Sequence, residues 1–310
     1  MPAISRAMNS RAIIEMCEGL PLWKAFYPRI YRGAEGFGDV RFFAASQVIH
    51  HDAAGQADEQ IAAVGDALAE ERIPTLWLDR GFAEAAMRSE PPADLRWQEM
   101  KLPFEAALLM LPHGLISHEA EGEVSFIAYA RFRAGQQVRR ADGSGVWRLA
   151  NDNFILYSTL NTGRAMPSML LALGPKKPTL GDATRREFAI DYDESFYRFG
   201  GRPTPISDAQ FLAHLTQITF AMLLAITARP ALVKRGERGG RHKKSGLPIW
   251  TPNIVGRDYR YKSEGEITGT GGTKRLHWRR GHFRNQAIGT GRTDHKIIWI
   301  EPMLIGGERE

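Results

Sequence analysis

Apolar positions along the chain follow two rhythms. In Asp58–Glu71, Ile61, Val64, Leu68 and Ala69 recur at about three and four residues, which predicts one buried face of a helix. Ser10–Ile30 opens the same way through Ile13, Ile14, Met16, Cys17 and Leu20, and Pro28 ends or follows it. Ile73–Leu78 is a short apolar run and predicts a strand, after which Asp79 caps a helix through Phe82, Ala86 and Met87. The middle of the chain is strand-like. Phe104–Pro112, Ser125–Phe132, Val146–Leu149 and Phe154–Leu160 are apolar runs of strand length, the last two joined by the turn formers Asn151, Asp152 and Asn153. Ser207 and Asp208 then cap a long helix from about Ala209 to Ala228, stopped by Pro230. The pattern predicts an α+β fold, a mainly antiparallel sheet covered by helices.

The pattern changes after Pro230. Lys234–Gly246 is charged, glycine-rich and nearly free of apolar residues, and reads as a linker or mobile basic loop. Ser263–Thr273 is a second such stretch. Arg257–Lys262, Lys274–Arg280 and Lys296–Met303 are short strand candidates. This divides the chain into a mixed body, residues 1–230, and a small basic β-rich C-terminal module, residues 231–310, packed on it.

Composition narrows the class. At 310 residues, 43% hydrophobic and 25% charged, the chain is an ordinary globular protein, neither disordered throughout nor collagen-like. Its one cysteine, Cys17, excludes an internal disulfide and a multi-cysteine zinc site. The net charge of +6 is unevenly spread. Residues 229–310 hold 18 Lys and Arg against 8 Asp and Glu; the preceding residues hold 23 against 27. A basic quarter on an acidic body points to an anionic partner, most simply nucleic acid, with a solvated basic face as the other reading. The most apolar long stretch, Phe211–Val233, carries His214, Gln217 and Arg229 and reads as a core helix. The N-terminus lacks the apolar core of an export signal, so the expectation is a cytoplasmic protein without a membrane partner. Asp191, Asp193 and Glu194 read as a solvated loop, and no phosphate-binding loop, dinucleotide fingerprint or metal-binding histidine pair occurs. The expectation is therefore no metal and no cofactor.

The densest chemistry is Arg275–Arg284, where Arg275, Arg279, Arg280 and Arg284 alternate with His277, His282, Trp278 and Phe283. Guanidinium forks match phosphate and aromatic rings stack on bases, so the mixture suits RNA or single-stranded nucleic acid. Arg292, Lys243 and Lys244 extend this candidate surface. A metal-independent ribonuclease or toxin is the catalytic alternative, in which His277 and His282 would supply base and acid and the arginines would stabilise charge on phosphorus; an RNA-binding regulator without catalysis, its histidines structural, is the other. Five residues of extended chain span about 16 Å, so that pair needs a turn or bulge at Gly281 to meet at one phosphate. Gly289, Thr290, Gly291 and Arg292 predict a hairpin turn.

The string His277, Arg279-Arg280-Gly281-His282, Gly289-Thr290-Gly291 and the strand ending near Pro302 resembles the end of a type V-A anti-CRISPR protein. Lys243-Lys244-Ser245-Gly246, Thr251-Pro252 and the long apolar helix before them are also similar. The resemblance covers about the last third of the chain. It implies a mobile-element protein that recognises the N-terminal peptide of a CRISPR effector nuclease as it leaves the ribosome and promotes loss of the encoding mRNA. The implied partners are thus a nascent peptide and ribosome-associated mRNA, with the RNA cut by this chain or by a host ribonuclease.

Overall fold

The computed structural model describes Val64, Ala67 and residues 74–96, 99–118, 122–139, 145–160, 169–173, 179–180, 195–199, 202–206, 208–241, 248–250, 253–260 and 277–305. In chain order these give β1 (Thr75–Leu78), α1 (Arg80–Met87), β2 (Ser89–Glu90), β3 (Ala106–Met110), β4 (Ile116–His118) and β5 (Gly122–Phe132). Then come β6 (Gln137–Arg139), β7 (Val146–Arg148), β8 (Asp152–Leu160), β9 (Met169–Leu173), β10 (Ser195–Phe199) and β11 (Arg202–Ile206). The last third holds α2 (Asp208–Ala228), β12 (Val233–Lys234), β13 (Arg238–Arg241), β14 (Pro248–Trp250), β15 (Asn253–Val255), β16 (His277–Arg279), β17 (Gly281–Ile288), β18 (Asp294–Ile300) and β19 (Met303–Ile305). The expected Ser10–Ile30 helix, the Ser263–Thr273 stretch and Asp191–Glu194 lie outside the described residues, as does Asp58–Glu71 apart from Val64 and Ala67.

The fold is α+β. Its main sheet runs β11-β10-β4-β5-β3-β1-β15-β12, with β8 paired to β5 and β9 to β8. Pairing is mostly antiparallel, but β1 lies parallel to both β3 and β15. The β1–α1–β3 segment is a crossover unit, which parallel neighbours require. The middle strands are continuous apolar runs because both faces of the sheet are covered. Leu109, Ile127, Tyr129, Phe154 and Leu156 belong to the main core on one face, while Leu108, Phe126, Ala128, Ile155 and Tyr157 are buried on the other. Asp79 caps α1 by accepting from the Gly81 N–H at 2.9 Å, and Phe82, Ala83, Ala85 and Ala86 are its buried positions.

Helix α2 is apolar on most of its circumference because it is enclosed from two sides. Phe220 meets Phe154 of the sheet with ring centroids 5.2 Å apart, and the opposite flank packs on α1 and β18. Phe211–Ala228 is long and apolar enough to cross a membrane, yet 72% of it is buried within the protein, as a core helix requires. His214 and Gln217 form its exposed strip. The Thr216 and Thr219 hydroxyls are buried and donate to the carbonyls of Leu212 and Leu215 at 2.8 and 2.7 Å, so neither is left unsatisfied.

Two elements differ from the sequence pattern. Within the basic stretch Lys234–Gly246, Lys234 belongs to β12 and Arg238–Arg241 forms β13, which pairs with β14 through a register shift between Arg238 and Gly240. A ladder of backbone hydrogen bonds needs no apolar alternation, so this pairing left no periodic trace. Arg257 and Asp258, expected to start a strand, instead form a turn. Gly256 has φ +79°, and the Tyr259 N–H bonds back to its carbonyl at 2.8 Å. That turn drives Tyr259 into the core.

Candidate nucleic-acid interface

β16 to β19 form one long interrupted hairpin. His277 pairs with Ile305 and Arg279 with Met303; beyond the interruption His282 pairs with Ile300 and Ile288 with Asp294. The register is the same on both sides, so no bulge is inserted at Gly281. The interruption falls where Arg280 and Gly281 face Pro302 and Glu301, and a proline has no N–H to give to the ladder. Gly281 instead donates its N–H to the Arg88 carbonyl at 3.0 Å as β17 joins β2 in parallel. A Cβ at Gly281 would overlap the Ser89 hydroxyl and the Pro302 ring. The turn at the tip uses Gly289 at φ +80°, Gly291 at φ +76° and Arg292 at φ +55°.

The hairpin has an inner and an outer face. Inward, Phe283 and Trp299 are stacked at 6.1 Å and buried. Trp299 also stacks on Tyr259 at 5.6 Å, meets Phe82 edge-on at 6.0 Å, and lies 5.5 Å from the Arg229 guanidinium. Its indole N–H donates to the Ser89 hydroxyl at 2.9 Å, and Arg229 is ion-paired to Glu301. Outward, His282 and Arg284 are exposed, and their cross-strand partners Ile300 and Ile298 are half-buried. Lys296 is exposed opposite Gln286.

The candidates read from the sequence therefore separate. Arg279, Arg280, His282, Arg284 and Arg292 are exposed on the hairpin. Arg280 makes an exposed ion pair with Glu90, so part of its charge is spent locally. Phe283 is turned into the aromatic core, where Trp299 takes the stacking position that a base would need. His277 and Trp278 lie in β16. The unbroken register gives no fold-back of the kind that would bring His277 and His282 to one phosphate. Arg275, Lys243 and Lys244 lie outside the described residues.

A second arrangement had no signal in residue spacing. The Nδ1 of His113 lies 2.6 Å from a carboxylate oxygen of Glu123, which also accepts from the Gly114 N–H. Glu123 is buried while the imidazole is 86% exposed. A carboxylate that fixes one ring nitrogen leaves the other facing water, an orientation suited to binding or proton exchange. It arises because β4 and β5 bring the Pro112–Leu115 turn over Gly122 and Glu123. No group of three or more His, Cys, Asp or Glu placed to hold a metal occurs among the described residues.

The family model for the anti-CRISPR type V subtype A2 family, AcrVA2-like, matches residues 76–307, from β1 to just beyond β19. The chain belongs to the AcrVA2-like family. It is an anti-CRISPR protein directed against type V-A systems, and its target is CRISPR-related. Among the described residues, the AcrVA2-like match takes in the strands of the main sheet from residue 76 on, α1, α2 and the hairpin, well beyond the C-terminal third that carries the sequence resemblance. No curated protein matches the chain.

Proposed function

We propose that this anti-CRISPR protein acts in the cytoplasm at translation, lowering production of the type V-A effector nuclease. The sheet body takes the emerging N-terminal peptide of the nuclease, and the basic hairpin faces its mRNA, which is then lost. The observation that carries the RNA half is the hairpin's exposed basic residues, His282 and Arg284 on its outer face and Arg279 at its root, while the aromatic residues Phe283 and Trp299 hold the ribbon to the core. Exposed arginines without full pairing suit phosphate recognition. The peptide half is supported by the sheet: β9, β11 and β12 are its outermost strands among the described residues, and an extended peptide binds a sheet by adding a strand.

The test replaces Arg279, Arg280 and Arg284 together with Ala in cells that make the effector nuclease. Effector mRNA and protein are measured, with the melting temperature of the purified variant alongside. Each exposed site should change stability by no more than about 0.5 kcal/mol, while silencing is lost. The matching triple Lys variant should retain much of it. A folded Ala variant that still lowers effector mRNA would sink the proposal. Incubating purified protein with RNA in EDTA separates cleavage by the chain from recruitment of a host ribonuclease: His282→Ala ends the first and spares the second.

A further inference from the structure

We infer that the cleft beneath the far half of the hairpin binds one unpaired adenine nucleotide of RNA; this rests on the RNA-facing role proposed above. The cleft, of about 170 Å³, lies between the inner face of the ribbon and the body. Asn285 and Ile297 pair across the ribbon and form one wall, with His295 next toward the tip. Lys101 and Thr227 belong to the facing wall, where the Thr227 hydroxyl is already spent on the Lys101 carbonyl at 3.0 Å. Sites for drug-sized ligands begin at about 300 Å³, so this one suits a single flat group. Asn285 is out of place in its row. Its inward neighbours are apolar: Phe283 and Trp299 belong to the main core, and Ile297 packs against it. A polar residue at an inward position breaks the pattern that fixes the ribbon, and folded chains break such patterns mainly at functional sites.

The Asn285 amide is half-buried and makes no side-chain hydrogen bond among the described residues. An amide presents one donor and one acceptor side by side, the pair that matches N7 and the N6 amino group of adenine. An unpaired base also needs a surface to lie on, and the Ile297 side chain and the His295 ring line the same cleft. Charge decides between a nucleotide and a bare anion. Lys101 and Lys296 stand on opposite walls, both exposed and neither ion-paired among the described residues. Lys296 faces Gln286 in the ribbon's outer row, so it joins the cleft to the face that carries His282 and Arg284. Glu99 lines the cleft as well, 3.9 Å from Arg96. A carboxylate in the wall repels a phosphate or an acidic side chain seated inside. An uncharged base inside, with its phosphates at the two lysines, satisfies both signs.

The experiment uses the full chain and fluorescent oligouridine of about 12 nucleotides, plain or with one central adenine, cytosine or guanine. Anisotropy titrations across a range of salt concentrations give affinity and slope. The expected result is that the adenine-bearing strand binds at least about fivefold tighter than the other three. Asn285→Ala should abolish that preference and leave binding of plain oligouridine unchanged, which also shows the variant to be folded. Lys101→Ala should weaken all four strands alike and lower the salt slope by about 0.7, as one lost phosphate contact on a single strand requires. Lys101 is exposed, so its variant decides the matter if Asn285→Ala fails to fold. Equal binding of the four strands, or preference for another base, overturns this inference and leaves the RNA-facing role standing. Failure of every strand to bind overturns the two together. An adenine preference that survives Asn285→Ala, or a slope untouched by Lys101→Ala, places the nucleotide elsewhere and also overturns the inference.

Discussion

Asp79 does two opposed things at the end of β1. Its carboxylate caps α1, yet burial lifts its pKa above the ordinary value, against the pull of the Gly81 and Phe82 N–H groups and of Arg260. A raised carboxyl pKa means that the folded state prefers the proton, so ionisation costs stability as pH rises through the folded value. Asp79→Asn keeps the capping oxygen without the charge, and should melt at or above the parent temperature at pH 7. That advantage should vanish below the ordinary aspartate value of 3.8. Asp79→Ala loses the cap and should cost about 1 kcal/mol. If Asn proved as damaging as Ala, the charge itself would matter more than the cap. Glu105 has the opposite sign. Its hydrogen bonds to Arg131, and the charges of Arg131 and Arg133, hold its pKa below the ordinary value of 4.5. Its contribution is full above that value and is lost as pH falls through the folded pKa. The Arg131 side chain is buried and also donates to the Met100 carbonyl at 3.0 Å. Arg131→Met leaves that carbonyl unpaired and should cost about 1–3 kcal/mol at pH 7. In thermal melts the gap between parent and variant should narrow in acid; a gap independent of pH would remove Glu105 from the account.

Among elements, those legible in the sequence were set by neighbours a few residues away. The Asp79 cap, the length of α2, and the runs that became β3, β5 and β8 all follow from local periodicity and turn chemistry. The hairpin turn at Gly289–Arg292 was legible for the same reason. The inward direction of Phe283 was also encoded, since it alternates with His282 and Arg284, but the density of arginine around it suggested an exposed patch. What carried no local trace was the break at Arg280–Gly281, which depends on Pro302 more than twenty residues away. Gly281→Ala tests that contact. Its methyl group has no room beside Ser89 and Pro302, and overpacking of this kind costs about 1–3 kcal/mol. Ser89→Gly in the same chain should recover part of the loss in urea unfolding. No loss in the single variant would show that the ribbon can shift freely over α1.

At the scale of the whole molecule, the sheet is closed by strands far apart in sequence. β15 lies between β1 and β12, and β1 itself bridges β3 and β15. Parallel pairing over such separations follows from no local pattern, and this is why the order of strands was not legible although most strands were. The His113–Glu123 pair was hidden for the same reason, being made by the meeting of β4 and β5. A chain ending at residue 230 would keep α2 but lose β12, β15 and the hairpin that covers it. Phe82, lying against Gly256, Tyr259 and Trp299, would then face water. The expected outcome is an insoluble or molten fragment, checked by near-ultraviolet circular dichroism and dye binding. A cooperative melt from residues 1–230 alone would show that the two portions fold independently.

Ser89 makes the ribbon difficult to transplant. Its hydroxyl donates to the Ala85 carbonyl, accepts the Trp299 indole N–H, and fills the space that a side chain at position 281 would take. A protein engineer who grafted residues 277–305 onto another scaffold would carry over the cations and leave behind the socket that aims them. The portable unit is the ribbon together with the end of α1 and the Tyr259 turn. Positions 89, 281 and 299 should accordingly be accepted or rejected as a set when a randomised library is sorted for soluble protein.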